Sequence, residues 1–203
     1  MESQGAFIVS TFLFFFLAGC RSTQAAGVGN STEFIREACA GTLYPRLCFS
    51  SLVGYAAVVQ RSDVRLSQVA SNVTLARVRS ASANVSATLA RAGPAAGPRL
   101  RAALRDCSDV LRDAAARAGQ AAEALRAVES AAGPALAWQV SNALTWMSAA
   151  LTDEDTCADG LATLAAPTAA SGGDSTTGEV YLRVREVEKH TSIALAFIHK
   201  LGF

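Results

Sequence analysis

The fold is set by one stretch in the middle of the chain, residues 97–134, which reads GPRLRAALRDCSDVLRDAAARAGQAAEALRAVESAAGP. Between its Gly-Pro pairs, apolar residues recur at alternating steps of four and three. This spacing predicts one continuous apolar stripe along a long helix, from about Pro98 to Ala131. The stripe consists of Leu100, Leu104, Cys107, Leu111, Ala114, Ala118, Ala121, Leu125 and Val128.

Similar helices are predicted on both sides of this stretch, because the chain is rich in Ala and is broken by Gly and Pro only at wide intervals. We expect helices over about 62–92, 134–166 and 178–201, with Pro167 and residues 171–174 in the last loop. The third helix repeats the apolar rhythm, and only Glu154 interrupts its stripe. That stripe is Leu136, Val140, Ala143, Met147, Ala150, Cys157, Leu161 and Leu164.

Length and composition suit one globular domain. The chain has 203 residues, of which 51% are hydrophobic and 17% charged. It is too short for an α/β barrel and too apolar for a disordered chain. A formal net charge of +1 also argues against a nucleic-acid partner, which would require a dense basic surface.

The N-terminus predicts secretion. Residues 7–18 form an apolar run that is too short to span a bilayer and is typical of the core of a signal peptide, with cleavage near Ala25 or Ala26. We therefore assign residues 1–26 to a signal peptide and 27–203 to the mature domain, with no stable membrane association. Glu2 is unusual in a signal peptide. The alternative is a bacterial lipoprotein with a lipid on Cys20.

Removal of Cys20 leaves four cysteines, an even number that indicates disulfides in a secreted chain. In two antiparallel helices joined near Ala132, Cys107 and Cys157 lie at the same height and can form a bridge. The local pair Cys39 and Cys48 would then hold together a helical hairpin. We favour these pairs over the other two pairings. The predicted fold is all-α, an up-down four-helix bundle (61–201) after a disulfide-bonded N-terminal hairpin (31–60).

Three Asn-x-Ser/Thr sequons are candidate glycosylation sites in a eukaryotic secretory pathway. Their acceptors are Asn30, Asn72 and Asn84.

The cysteine segments carry a family resemblance. Residues 39–48, CAGTLYPRLC, resemble the signature C-x-x-T-x-Y-P-x-x-C of the plant invertase and pectin methylesterase inhibitor family, and residues 104–107 and 146–160 extend the likeness. The resemblance covers about residues 31–201. It implies a secreted, disulfide-bonded helical bundle that inhibits a cell-wall enzyme.

The family contains inhibitors of pectin methylesterase and inhibitors of acid invertase. Invertase inhibitors of the family carry Pro-Lys-Phe between the second and third long helices, whereas this chain reads Gly133-Pro134-Ala135-Leu136. Residues 146–160 are also more similar to the methylesterase-inhibitor branch. We expect a free-standing inhibitor of pectin methylesterase in the apoplast, since no catalytic domain follows Phe203. Acid invertase is the alternative partner.

Acidic residues suggest where the target binds. Asp109 and Asp113 fall on the second long helix, and Thr152, Asp155 and Asp159 on the third. The register that pairs the cysteines also places Asp109 level with Asp155. We hypothesise that these five residues contact the enzyme and that the inhibitor covers its pectin-binding cleft in a non-covalent 1:1 complex. The alternative is a solvated acidic face, partly neutralised by Arg101, Arg105 and Arg112.

No catalytic or metal-binding pattern supports an enzyme. A G-x-S-x-G motif is absent, and Glu179 stands where a phosphate-binding loop needs Lys. His190 and His199 are nine residues apart on one helix and point to opposite faces, so they cannot share a metal ion. We expect no cofactor. A secreted signalling or binding module is the second alternative, and the oligomeric state is not evident from the sequence.

Trp138 and Trp146, eight residues apart, fall on nearly the same face of the third helix. We expect both in the core, with a role as interface anchors as the alternative.

Overall fold

The computed structural model describes residues 27–93, 97–165 and 175–202. These residues form helices and turns and contain no β-strand, which confirms the all-α class. The proposed signal peptide, Pro167 and the loop 171–174 lie outside the described residues. In chain order the helices are α1 (27–40), α2 (Pro45–Leu52), a 3-10 turn (Val53–Tyr55), α3 (Ala56–Val59), α4 (Asp63–Ala92), α5 (Pro98–Val128), α6 (Pro134–Ala165) and α7 (Ser175–Lys200).

The starts of the long helices follow from their first residues. Ser62 caps α4 by accepting a hydrogen bond from the Arg65 backbone N–H at 3.3 Å. Pro98 opens α5, where its missing N–H has no intrahelical partner to lose. The end of α5 was predicted three residues too late, because the Ala131 N–H bonds the Val128 carbonyl in a tighter turn before Gly133 takes a positive φ of 54°.

The last helix begins earlier than predicted, at Ser175 instead of Gly178. Gly178 therefore lies inside the first turns of α7, where a glycine costs helix stability and makes the sequence signal weak.

Each long helix packs against two others. α4 contacts α5 and α7, and α6 contacts the same two helices. Gln68, near the start of α4, donates to the Leu125 carbonyl near the end of α5, whereas Ser86 near the end of α4 meets Ser108 nearer the start of α5. These two helices consequently run in opposite directions.

The predicted stripes form the core. From α5, every stripe residue except the half-buried Leu100 is buried, and on α6 the stripe is buried from Val140 to Leu161. Glu154, the polar interruption of the α6 stripe, is also fully buried. The bundle therefore encloses a carboxyl group.

Both predicted disulfides are present. Cys39 joins Cys48 with their Cα atoms 5.6 Å apart, and Cys107 joins Cys157 with their Cα atoms 4.4 Å apart. The first closes the turn between α1 and α2, and the second fixes α5 to α6.

The N-terminal helices attach to α7 through His190. Its Nδ1 lies 2.9 Å from the Glu186 carbonyl, which can only accept, so Nδ1 carries the hydrogen. In the neutral ring Nε2 then accepts from the Ser51 hydroxyl of α2, at 3.1 Å. Thr74 of α4 donates to the His190 carbonyl at 3.1 Å. As predicted, the two histidines lie on different sides of α7: His190 is buried and His199 is exposed.

The tryptophans differ from each other. Trp146 is half-buried and packs against the core, but Trp138 is 65% exposed, so the prediction of a core position was wrong for Trp138. Trp138 lies in the second turn of α6, and all residues from Pro134 to Gln139 are exposed or half-buried. The first turns of α6 therefore have little packing to cover a tryptophan.

Candidate functional site

The acidic residues of α5 face solvent. Asp109 and Asp113 are one turn apart and exposed, and Asp109 Oδ1 accepts from Arg112 Nη1 at 3.0 Å. Both members of this ion pair are well solvated, so it adds little to stability. Asp113 has no ion pair among the described residues, and its carboxylate is available to a partner.

The α6 residues of the predicted surface also share one side of their helix. Thr152, Asp155 and Asp159 are spaced by three and four residues, and all are exposed. The Thr152 hydroxyl donates to the Ser148 carbonyl at 3.2 Å, and Asp155 Oδ1 lies 3.3 Å from Arg185 Nη1 of α7. Asp159, like Asp113, has no ion pair in the part of the chain that the structure describes.

The two acidic sets belong to different edges of the bundle. Asp109 and Asp155 each lie two residues from a cysteine of the same disulfide. Two residues correspond to a rotation of about 200° around the helix axis, so both aspartates point away from that bridge. Asp155 consequently finds its partner on α7 and Asp109 on its own helix. Equal height along the helices, which the sequence predicted, does not place the two carboxylates side by side.

A cross-helix ion pair lies between the two sets, and sequence reasoning missed it. Arg117 Nε of α5 lies 2.7 Å from Asp153 Oδ2 of α6, and both side chains are partly buried. Asp153 stands one turn before Cys157 and therefore faces α5, which was the available signal. Together with the disulfide, this pair holds α5 and α6 in one relative position.

A cluster of charged groups joins α6 to α7 beside Asp155. Arg185 Nη1 lies 2.6 Å from Glu188 Oε2, and Glu188 is only 8% exposed. Burial raises the pKa of Glu188, Arg185 opposes this effect, and the nearby carboxylates Asp155 and Asp159 reinforce it. Glu188 raises the pKa of Arg185 in turn.

Glu154 has the largest shift in pKa among the described residues. Burial raises its pKa to about 8, and the hydrogen bond from Thr191 only partly offsets this effect. Nearby Glu188 and Asp153 raise it further. Glu154 is enclosed in the core and has no exposed surface, so its ionisation acts on the stability of the fold.

The three sequons lie on helices. Asn30 of α1 and Asn72 of α4 are exposed, whereas Asn84 of α4 is half-buried. Their glycosylation remains a prediction.

Within residues 27–93, 97–165 and 175–202, no group of three His, Cys, Asp or Glu side chains is placed to hold a metal ion. In the same described ranges, none of the helices combines the length and apolar character needed to span a membrane.

Comparison with known proteins gives the family. The family model described as plant invertase/pectin methylesterase inhibitor matches residues 33–197. The chain is 36% identical over 183 residues to Pectinesterase inhibitor 9 of Arabidopsis thaliana, covering 89% of this chain and 86% of the relative. It is 33% identical over 181 residues to a 21 kDa protein of Daucus carota, covering 88% of each.

The fold is also similar to that of a solved structure, mutant form A of a pectin methylesterase inhibitor from Arabidopsis. The TM-score is 0.60 at 22% sequence identity, over 79% of this chain and 92% of the other. Sequence and fold agree, and the chain belongs to the plant invertase/pectin methylesterase inhibitor family.

Proposed function

We propose that this protein is a non-enzymatic inhibitor of pectin methylesterase. One observation carries the proposal: two relatives at 36% and 35% identity, which cover 89% and 77% of the chain, are named pectinesterase inhibitors. The family match, over residues 33–197, includes both helices that bear the exposed acidic residues.

The geometry suits inhibition by steric blocking. The Cys107–Cys157 disulfide and the Arg117–Asp153 pair fix α5 against α6, so the surface they form exists before the target arrives. A pre-organised surface loses little conformational entropy on binding. In the proposed 1:1 complex, α5 and α6 cover the pectin-binding cleft of the enzyme, and no covalent bond forms.

The contacts we propose are made by Asp109, Asp113, Thr152, Asp155 and Asp159. Asp113 and Asp159 have no ion pair in the described structure, so a basic group of the enzyme can approach them without displacing an internal partner. Asp109 and Asp155 must share or exchange their arginine, which reduces their net contribution.

We also propose the domain organisation that the sequence predicts. Residues 1–26 are a signal peptide, 31–60 the N-terminal hairpin and 61–201 an up-down four-helix bundle, and the protein acts in the apoplast. The opposite directions of α4 and α5 support the bundle topology, and the two disulfides support an oxidising compartment.

Acid invertase is the less favoured target. Pro134 and Ala135 are exposed at the start of α6, but they provide neither the cation nor the ring of the Pro-Lys-Phe tripeptide. A signalling role has no specific observation in its favour.

A paired inhibition assay tests the proposal. The purified oxidised protein is titrated into a plant pectin methylesterase and, separately, into an acid invertase between about pH 5 and 7. We expect complete loss of methylesterase activity near one equivalent, no change in invertase activity, and a 1:1 mass in native mass spectrometry. A fully reduced and alkylated sample is the control. Inhibition of invertase alone would reverse the choice of target, and inhibition of neither would reject the function.

A further inference from the structure

A row of arginines follows one side of α5. Arg105, Arg112 and Arg126 are separated by seven and fourteen residues, and Arg101 lies one turn before Arg105. On an α-helix these positions fall within a stripe about 60° wide. From Arg101 to Arg126 the stripe is about 38 Å long, at 1.5 Å per residue.

α4 adds a fifth arginine to this surface. Ser108 belongs to the same stripe of α5, and its Oγ lies 2.9 Å from Ser86 Oγ of α4, so the stripe borders α4. Arg79 lies two turns before Ser86 on the same side of α4 and is exposed. Because α4 and α5 are antiparallel, Arg79 lies level with the interval between Arg112 and Arg126. We call these five residues the arginine row.

Most of this charge is not neutralised. Arg112 pairs with Asp109, but no other member of the row has a carboxylate within ion-pair distance among the described residues. Glu123 is three residues before Arg126 and makes no ion pair with it. Elsewhere the arginines of helix contacts, such as Arg117 and Arg185, are paired.

The surroundings of the row indicate a hydrophilic, extended partner. Neither α4 nor α5 contains an aromatic residue, and between the arginines the stripe holds the small residues Ser108 and Gly119 and one carboxylate, that of Glu123. The surface thus lacks the aromatic anchors of protein interfaces and the apolar side chains that enter a membrane. A guanidinium binds a carboxylate through two parallel hydrogen bonds, and this row repeats that group along a line.

We propose that the arginine row binds the carboxylates of a linear acidic polysaccharide. The choice of a polyuronate among such polymers rests on the proposed function, since hydrolysis of methyl esters in pectin exposes this carboxylate. The inhibitor would then be held on polymer that the esterase has already processed. The row touches the residues proposed for the enzyme contact only at the Arg112–Asp109 ion pair.

The test compares two triple variants with the wild-type protein. The row variant carries Arg79→Gln, Arg101→Gln and Arg126→Gln. The control variant carries Arg46→Gln, Arg77→Gln and Arg183→Gln, which removes the same charge from exposed arginines that also lack ion pairs. All proteins are made without N-linked glycans, because Asn72 lies two turns before Arg79, beside the row.

Binding is measured with polygalacturonate and with the fully methyl-esterified polymer, together with the thermal midpoint of each protein. We expect salt-sensitive binding to polygalacturonate alone, weakened at least about tenfold in the row variant and less than about twofold in the control. Both variants should inhibit pectin methylesterase like the wild type, because none of the substituted arginines is a proposed enzyme contact. Arg112, which pairs with the proposed contact Asp109, is left unchanged.

Three outcomes would overturn the inference. If the wild-type protein does not bind polygalacturonate, the inference is rejected. If binding weakens equally in both variants, the attraction is an effect of net charge and not of the row. A row variant that loses inhibition without any polymer binding would assign the row to a protein interface. If the protein binds polygalacturonate through the row but inhibits no esterase, the proposed function fails and this inference stands.

Discussion

The buried carboxylate of Glu154 is held by a single side-chain hydroxyl, that of Thr191, whose Oγ1 lies 2.9 and 2.8 Å from its two oxygens. The same hydroxyl lies 3.3 Å from the Val187 carbonyl. One hydroxyl hydrogen cannot serve three acceptors. If Glu154 is protonated, its own O–H can donate to Thr191, and Thr191 is free to donate to Val187. The arrangement therefore favours the neutral acid, in agreement with a pKa of about 8.

The first prediction is that stability falls as pH rises. The folded-state pKa of Glu154 is raised from 4.5 to about 8, so the folded state binds this proton more tightly than the unfolded chain does. The resulting contribution to stability is fully present below pH 4.5 and is lost as pH rises through 8. The free energy of unfolding should decrease by at most about 5 kcal/mol across this range. Thermal unfolding between pH 4.5 and 8.5 measures it. Burial of Glu188 acts in the same direction, with Arg185 opposing it.

Glu154→Gln should remove most of this pH dependence, because an amide does not titrate. The matched control is Glu179→Gln, which replaces an exposed glutamate on α7 and should leave the slope unchanged. If the free energy of unfolding of Glu154→Gln still falls with pH as in the wild type, another titrating group causes the pH dependence.

The second prediction concerns the disulfides. In the chain-entropy model, a bridge that closes 50 residues stabilises by about 4 kcal/mol, and one that closes nine residues by about 2.5 kcal/mol. The pair of changes Cys107→Ser and Cys157→Ser should therefore cost more than Cys39→Ser with Cys48→Ser. Denaturant unfolding of both double variants gives the two values. The reverse order would mean that strain or residual structure outweighs loop entropy here.

The third prediction tests the enzyme contact. Asp113→Lys with Asp159→Lys should weaken inhibition of pectin methylesterase by at least about tenfold, since each change reverses a charge without an internal ion pair. Glu123→Lys with Glu179→Lys makes the same change in net charge elsewhere and should alter inhibition by less than about twofold. Equal inhibition constants for both double variants would remove the acidic residues from the interface.

The fourth prediction concerns the attachment of the N-terminal helices. Ser51→Ala leaves the buried Nε2 of His190 without its partner and should cost about 1 to 3 kcal/mol. Hydrogen exchange should accelerate mainly in residues 27–59. The neighbouring change Ser50→Ala removes only an exposed bond to Leu47 and should cost less than about 0.5 kcal/mol. Similar exchange in the two variants would show that His190 does not anchor the hairpin.

The fifth prediction compares the tryptophans. Trp138→Ala should change the free energy of unfolding by less than about 0.5 kcal/mol, because its side chain is mostly in solvent. Trp146→Ala should cost about 2 to 3 kcal/mol, less than the loss of a fully buried ring, because Trp146 is only partly buried. A large loss at Trp138 would indicate a packing role that its exposure hides.

The parts of the fold that the sequence predicted correctly depend on local repetition and on covalent links. The α5 stripe needs only the helical period, and the pairing of Cys107 with Cys157 needs only equal heights on two joined helices. The position of a side chain around the bundle depends on how each helix is rotated against its neighbours. That rotation placed Asp155 beside Arg185, and no pattern within α6 contains that information.

The contacts of α7 have a consequence for synthesis of the chain. Residues 185–191 provide the partners of Ser51, Thr74, Glu154 and Asp155, which belong to three other helices. A ribosome makes these residues after all four of their partners. The nascent chain can close both disulfides before α7 emerges, but the carboxyl of Glu154 and the ring-binding side of α2 then have no partner. The contacts of Ser51, Thr74 and Glu154 can therefore form only after residues 185–191 have emerged, and until then the earlier helices expose polar groups that the complete fold pairs.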